Sequence, residues 1–147
     1  MALKFGRKPP KNAPALKLGD VLTGTVPTHP LSSDFLNIGG WQMLGNDTHG
    51  DCVAVTWANE RRLLSRLGGS EVYPNQDQVY TFYKTQNPNF PSQDDGMDIQ
   101  TALESLVKDG GPDGTKALAF AKVDHTNKDE VKAALAIFGC VWTGVYV

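Results

Sequence analysis

No apolar run in this chain approaches the ~18 residues that a membrane-spanning helix needs. The basic N-terminus runs straight into Pro-rich sequence, without the apolar stretch of a secretory signal peptide. Together these absences point to a cytoplasmic protein with no membrane partner. Cysteine is scarce. Cys52 and Cys140 alone cannot frame a disulfide scaffold, which fits a reducing compartment. There is no internal repeat, and no low-complexity tract beyond the first 40 residues. Gly110-Gly111-Pro112-Asp113-Gly114 lacks the Lys-Ser/Thr that would make it a phosphate loop. His49, Asp51 and Cys52 crowd three possible ligands into four residues, which matches no usual zinc spacing. No cofactor and no metal are expected.

What is present is an ordinary globular composition over 147 residues, 40% hydrophobic and 20% charged, enough for one domain with a buried core. The net charge of −2 conceals an asymmetry. Lys4, Arg7, Lys8, Lys11 and Lys17 precede the first acid, Asp20, while the rest of the chain holds 9 basic and 16 acidic groups. An acidic body excludes a nucleic-acid-binding domain, leaving the arm alone as a place where phosphate could be touched. A charged, Pro-rich arm frays unless something holds it, so contact is expected with its own domain or with a partner chain.

Residues 1–40 read as an extended or turn-rich arm punctuated by Pro9, Pro10, Pro14, Pro27 and Pro30. A Gly/Asn/Asp-rich loop then leads into a helix over Cys52–Leu67, with Asp51 as N-cap, basic residues toward its C-terminal end and Gly68-Gly69 as stop. Its first half, Val53 to Ala58, is apolar almost all round and should be buried. Further helices are expected over Gln76–Lys84, entered at Asn75 or Asp77, and over Ile99–Lys108, capped by Asp98. A fourth should run from a capping box at Asn127 and Glu130 to Phe138, with Gly139 ending it. Cys140–Val147 reads as an apolar strand whose only earlier partner would be Lys116–Val123. The sequence ends inside that strand, an odd place for a domain to stop. Trp57, Tyr80, Phe82 and Tyr83 are read as core, Arg61-Arg62 as a solvated helix end, and Asp94 and Asp95 as adjacent loop acids that point apart.

Cys52 carries the chemical interest. A thiol in the first turn of a helix sees the positive end of the macrodipole and backbone N–H groups, both of which favour the thiolate. Gly50, two residues earlier, lets a substrate backbone approach. An unpaired cysteine is also among the most buried residue types, so a packing role stands beside the chemical one.

The stretch NDTHGDCVAVTWAN, residues 46–59, resembles the nucleophile segment of papain-like cysteine peptidases, in a form associated with actinobacteria and their phages. The resemblance implies an α+β domain over residues 41–147: the helical half, with the central nucleophile helix, and the start of the β-rich half. It makes Cys52 the nucleophile and Asn46 the amide that helps hold the oxyanion, with Gly50 beside them. Asp95-Gly96-Met97 and the helix after it are similar to the family's substrate-binding glycine segment, which implies that Gly50, Gly96 and Met97 line the substrate cleft. A peptide or amide would be the substrate.

The chain also departs from the pattern. His49 stands where the family has its first cysteine, and Asn46 is one methylene shorter than the usual glutamine. The family's catalytic His lies about 130–150 residues beyond the nucleophile, whereas 95 residues follow Cys52 here. The enzymatic reading therefore requires a further C-terminal part. The family brings its base from the opposite half, across the cleft, which counts against a His49–Cys52 dyad. The alternative is a non-catalytic structural or virion-assembly protein reusing this fold. It would bind a protein partner or a second copy through residues 1–20 and the Cys140–Val147 edge.

Overall fold

The structure is a computed structural model, and it describes residues 7–8, 16–22, 28–30 and 38–144. Most of the proline-rich arm and residues 145–147 lie outside the described residues. The architecture is mostly helical, with very little strand. β1 (Arg7–Lys8) and a short helical turn α1 (Leu18–Val21) precede the main helices α2 (Cys52–Leu67) and α3 (Gln76–Lys84). β2 (Met97–Asp98), α4 (Ile99–Lys108) and α5 (Lys128–Phe138) follow. The sequence reading matches the bounds of all four long helices. Among the described residues no helix is long and apolar enough to cross a membrane.

α2 is the centre of the core. Val53, Ala54, Val55, Trp57 and Ala58 in its first two turns are buried, so the end that begins with Cys52 is set into the protein. Val79, Phe82 and Tyr83 of α3 and Ala102 and Leu106 of α4 pack against it, with Met97 and Phe90 closing the cluster. The loop at Gly111 lies flat on this core: a Cβ there would come within 2.7 Å of the Trp57 ring.

The caps show which local signals hold. Asn75 and Gln78 form a reciprocal capping box at α3, and the Asp98 carboxylate accepts from Thr101 N–H at α4. At α5 only half of the expected box exists. Asn127 caps Glu130 N–H, but the Glu130 carboxylate accepts instead from the backbone N–H of Asp124. Asp51 occupies the N-cap position of α2 yet makes no cap hydrogen bond. Gly139 ends α5 in the left-handed conformation, φ 79°.

Three expectations need correction. Residues 140–144 form no strand. The Cys140 thiol and the Trp142 indole N–H both donate to Glu60, which holds this tail on α2 through side chains rather than through a ladder. Lys116–Val123 is no strand either, contributing only an isolated bridge between Lys17 and Lys122. And Arg61-Arg62 is no solvated helix end. Arg62 is buried, paired with Glu71, bonded to the carbonyls of Gly39 and Gly40 and stacked on Trp41 and Tyr73, while Arg61 pairs with Asp113. These partners lie 9 to 52 residues away in sequence, beyond the reach of a local pattern.

The described parts of the arm lie on the protein's own body. Arg7–Lys8 pairs in parallel with Met97–Asp98, and Leu18 N–H donates to the Lys122 carbonyl. The α1 turn replaces part of the extended arm that the prolines suggest, since residues 15–26 contain none.

The close approach at Gly111 gives a stability test. Gly111→Ala should destabilise the fold by about 1–3 kcal/mol, the usual cost of overpacking a rigid aromatic. Urea unfolding followed by Trp fluorescence would measure it.

Candidate functional site

The loop before α2 is built from tight turns. Asn46 N–H donates to Met43 O, and Thr48 and His49 N–H both donate to Gly45 O. Gly45 has φ 107°, and a Cβ there would strike the Tyr80 hydroxyl at 2.6 Å and the Asp51 carboxylate at 2.9 Å. Only glycine fits. The turn carries the chain down onto α3, and α2 starts directly afterwards at Cys52, which is half-buried.

Asp94 fastens this loop to the rest of the domain. Its side chain is 5% exposed. Oδ1 accepts from Gly50 N–H at 2.9 Å and from the Tyr83 hydroxyl at 2.5 Å, and Oδ2 lies 3.4 Å from His49 Nδ1. Burial, and then the adjacent Asp94 carboxylate, hold the Tyr83 phenol well above its ordinary range, so it stays protonated and donates. The same hydroxyl accepts from Gly96 N–H at 2.9 Å, and Asn87 joins Gly96 O to Asp95 N–H. Three segments thus meet at one carboxylate: the Cys52 loop, helix α3 and the loop leading to β2. The His49 ring packs edge-on against Phe90 and Tyr80, with centroids 4.7 and 5.7 Å away.

Beneath the loop, Asp51 is 0% exposed and neither carboxylate oxygen has a hydrogen-bond partner. Burial pushes its carboxyl up to about 7, with Asp94 and Asp47 adding to the rise and the backbone and His49 opposing it. A capping aspartate would instead be held below its ordinary value by the N–H it accepts.

The residues expected at the site divide into two groups. Cys52, Gly50 and Asn46 share the loop and the first turn of α2, with Asn46 half-buried. Gly96 joins them indirectly, through Tyr83 and Asp94. It does not line an open cleft: both its backbone groups are spent inside the protein, and its φ of 77° serves a turn. Met97 is 0% exposed and belongs to the core. A substrate-binding role for these two is therefore corrected to a structural one, because their polar and apolar surfaces are already covered. The residues that sequence reading missed are Asp94, Tyr83 and Asn87. Asp94 and Asp95 do point apart, one inward and one outward, but nothing local tells which turns in. Among the described residues no group of three or more His, Cys, Asp or Glu side chains could hold a metal ion.

No protein-family model matches this chain, and no curated protein or solved structure matches it either. The helical α+β class stands on the fold described above.

Asp51 makes stability depend on pH. Its folded value lies above its unfolded one, so the folded state holds the proton more tightly. Its contribution is complete below the unfolded value of 3.8, and is lost as pH rises through about 7. Urea midpoints should therefore fall between those limits, by the equivalent of a few kcal/mol at ~1.4 kcal/mol per pKa unit. Asp51→Asn should flatten this slope and raise the midpoint above wild type at neutral pH.

Proposed function

We propose that the chain is the nucleophile-bearing part of a papain-like cysteine hydrolase acting on a peptide or amide carbonyl. One observation carries this reading. Cys52 opens a 16-residue helix whose first turns are sunk into the core, and the loop delivering it is pinned at Gly50 to a buried carboxylate. That arrangement supplies what a thiol nucleophile needs: a fixed position, the positive end of a long helix, and first-turn N–H groups that no helical carbonyl takes up.

In the reaction Cys52 Sγ bonds to the substrate carbonyl carbon, and the oxyanion that forms is held by first-turn N–H groups with Asn46 alongside. The C–N bond then breaks, the amine leaving with the proton given up by the Cys52 thiol, and water adds to the thioester carbonyl, breaking the C–S bond to release the acid and return a proton to sulfur. The His49 imidazole of the same loop is held by Phe90 and Tyr80, with Nδ1 3.4 Å from Asp94 Oδ2.

A non-catalytic assembly protein is the second reading, and a specific surface favours it. Leu64 and Leu67 at the end of α2 are exposed, as are Ile137 and Phe138 at the end of α5. Leu67 lies beside Gly139, so the two helix ends adjoin. Such apolar exposure suits a protein partner or a second copy.

Thiol chemistry separates the two readings. Cys140, half-buried and bonded to Glu60, is pushed up to about 12 and should resist alkylation in the folded protein. With iodoacetamide and peptide mass mapping, Cys52 should label readily below the ~8.5 of an ordinary thiol. A Cys52 that stays inert from pH 6 to 9 would remove the hydrolase reading and leave the assembly one.

A further inference from the structure

A groove of about 210 Å³ runs along the flank of α2, away from the Asp94 cluster. That is less than the ~300–1,000 Å³ of pockets that enclose a whole cofactor, so it suits a single residue of a longer ligand. Thr56, Asn59 and Glu60 supply one wall from a single helix face, and Cys140 and Trp142 supply part of the rest. None of the residues lining it is basic. The polar groups of the wall are only partly satisfied. The Glu60 carboxylate accepts from the Cys140 thiol at 3.0 Å and from the Trp142 indole N–H at 2.9 Å, one bond on each oxygen, so each oxygen keeps a lone pair. The Thr56 hydroxyl donates to Cys52 O and is left as an acceptor. Asn59 is oriented by Tyr73, whose hydroxyl accepts from Gln42 N–H and donates to Asn59 Oδ1. The amide Nδ2, a donor, is therefore the end of Asn59 without a partner among the described residues. The wall offers acceptors at 56 and 60 and a donor at 59.

We propose that this groove binds the free N-terminus of a peptide, with its α-ammonium between Glu60 and Thr56 and its first carbonyl on Asn59 Nδ2. Charge selects the ammonium. No basic side chain among the described residues forms an ion pair with Glu60, and its neighbours Arg61 and Arg62 turn to Asp113 and Glu71. Hydrogen-bond inventory selects a primary one, because its N–H donors meet the open lone pairs of Glu60 and Thr56. The donor at Asn59 then calls for an acceptor close to that ammonium. In a peptide N-terminus the first carbonyl is attached to the carbon that bears the ammonium. A lysine side chain instead carries its ammonium at the end of a four-carbon stem, with no acceptor beside it. A free amino acid would place a carboxylate there, and no basic side chain lines the groove to receive it. The carbonyl of a peptide is neutral, which fits. Leu63 and Val141 leave an apolar wall for the side chain of the first residue. Capture of a terminal amine is a recurring mode of peptide recognition. This assignment is independent of the reading of Cys52.

The test is a titration of the whole chain with leucinamide, followed by tryptophan indole N–H resonances. The signal of Trp142, which donates to Glu60, should shift and saturate while that of the buried Trp57 stays still. N-acetyl-leucinamide, which lacks the ammonium, should bind at least tenfold more weakly. Leucine, with its carboxylate, and Nα-acetyl-lysinamide, with its remote ammonium, should also bind more weakly than leucinamide. Glu60→Gln should weaken leucinamide roughly tenfold. Thr56→Val touches neither bond to the tail and serves as a second variant should Glu60→Gln disturb it, with an expected loss of about threefold or more. Equal binding of the acetylated amide would overturn the proposal. So would leucine or the lysine amide binding as tightly as leucinamide, unchanged affinity in both variants, or no saturable response to leucinamide.

Discussion

The structure around Cys52 depends on one buried carboxylate. Asp94 accepts from the backbone of the loop before α2 and from the tyrosine of α3 at the same oxygen, and Tyr83 passes the connection on to Gly96. Hydrogen bonds to a carboxylate at low exposure are among the stronger ones, and each partner would be orphaned without it. Leu44 gives the loop one apolar anchor in the core, and the Asp94 bond adds a polar one, while five of its residues between Trp41 and Thr48 are exposed. Packing explains the helices, and packing together with polar satisfaction explains where the thiol sits.

Asp51 works in the opposite sense. It is the next residue after the pinned glycine, and its carboxyl has no partner. Its Oδ2 lies against the turn at Gly45, where a Cβ would come within 2.9 Å of it. A buried acid without a partner costs stability that a simple cap would have contributed. Such a cost, next to a cysteine at a helix start, is where functional and structural demands most often conflict. The Glu60 carboxylate shows a third arrangement: it accepts from two neutral donors and holds the 140–142 tail.

The helices were legible in the sequence because their signals are local. Gly68-Gly69 and Gly139 end helices, Asp98 and Asn127 cap them, and the apolar run from Val53 to Ala58 is buried as its pattern demands. Cys52 at the start of α2 was legible for the same reason. The failures all involve distant partners. Asp51 reads as a cap, whereas its side chain is buried against the Gly45 turn. Cys140–Val147 reads as a strand because it is apolar, but Glu60, 80 residues earlier, takes up its polar groups. Met97 was placed in a cleft by resemblance, while packing against α2 places it in the core. Asp94 is separated from Gly50 by 44 residues, and no spacing rule in the sequence joins them.

The central claim is that Asp94 holds the Cys52 loop in place, and amide hydrogen exchange at Gly50 tests it most directly. The account predicts slow exchange in the native chain. In Asp94→Ala the Gly50 amide should exchange far faster, while amides in the middle of α2, such as Ala58, keep most of their protection. Rapid exchange at Gly50 in the native protein, or exchange unchanged by the substitution, would contradict the account.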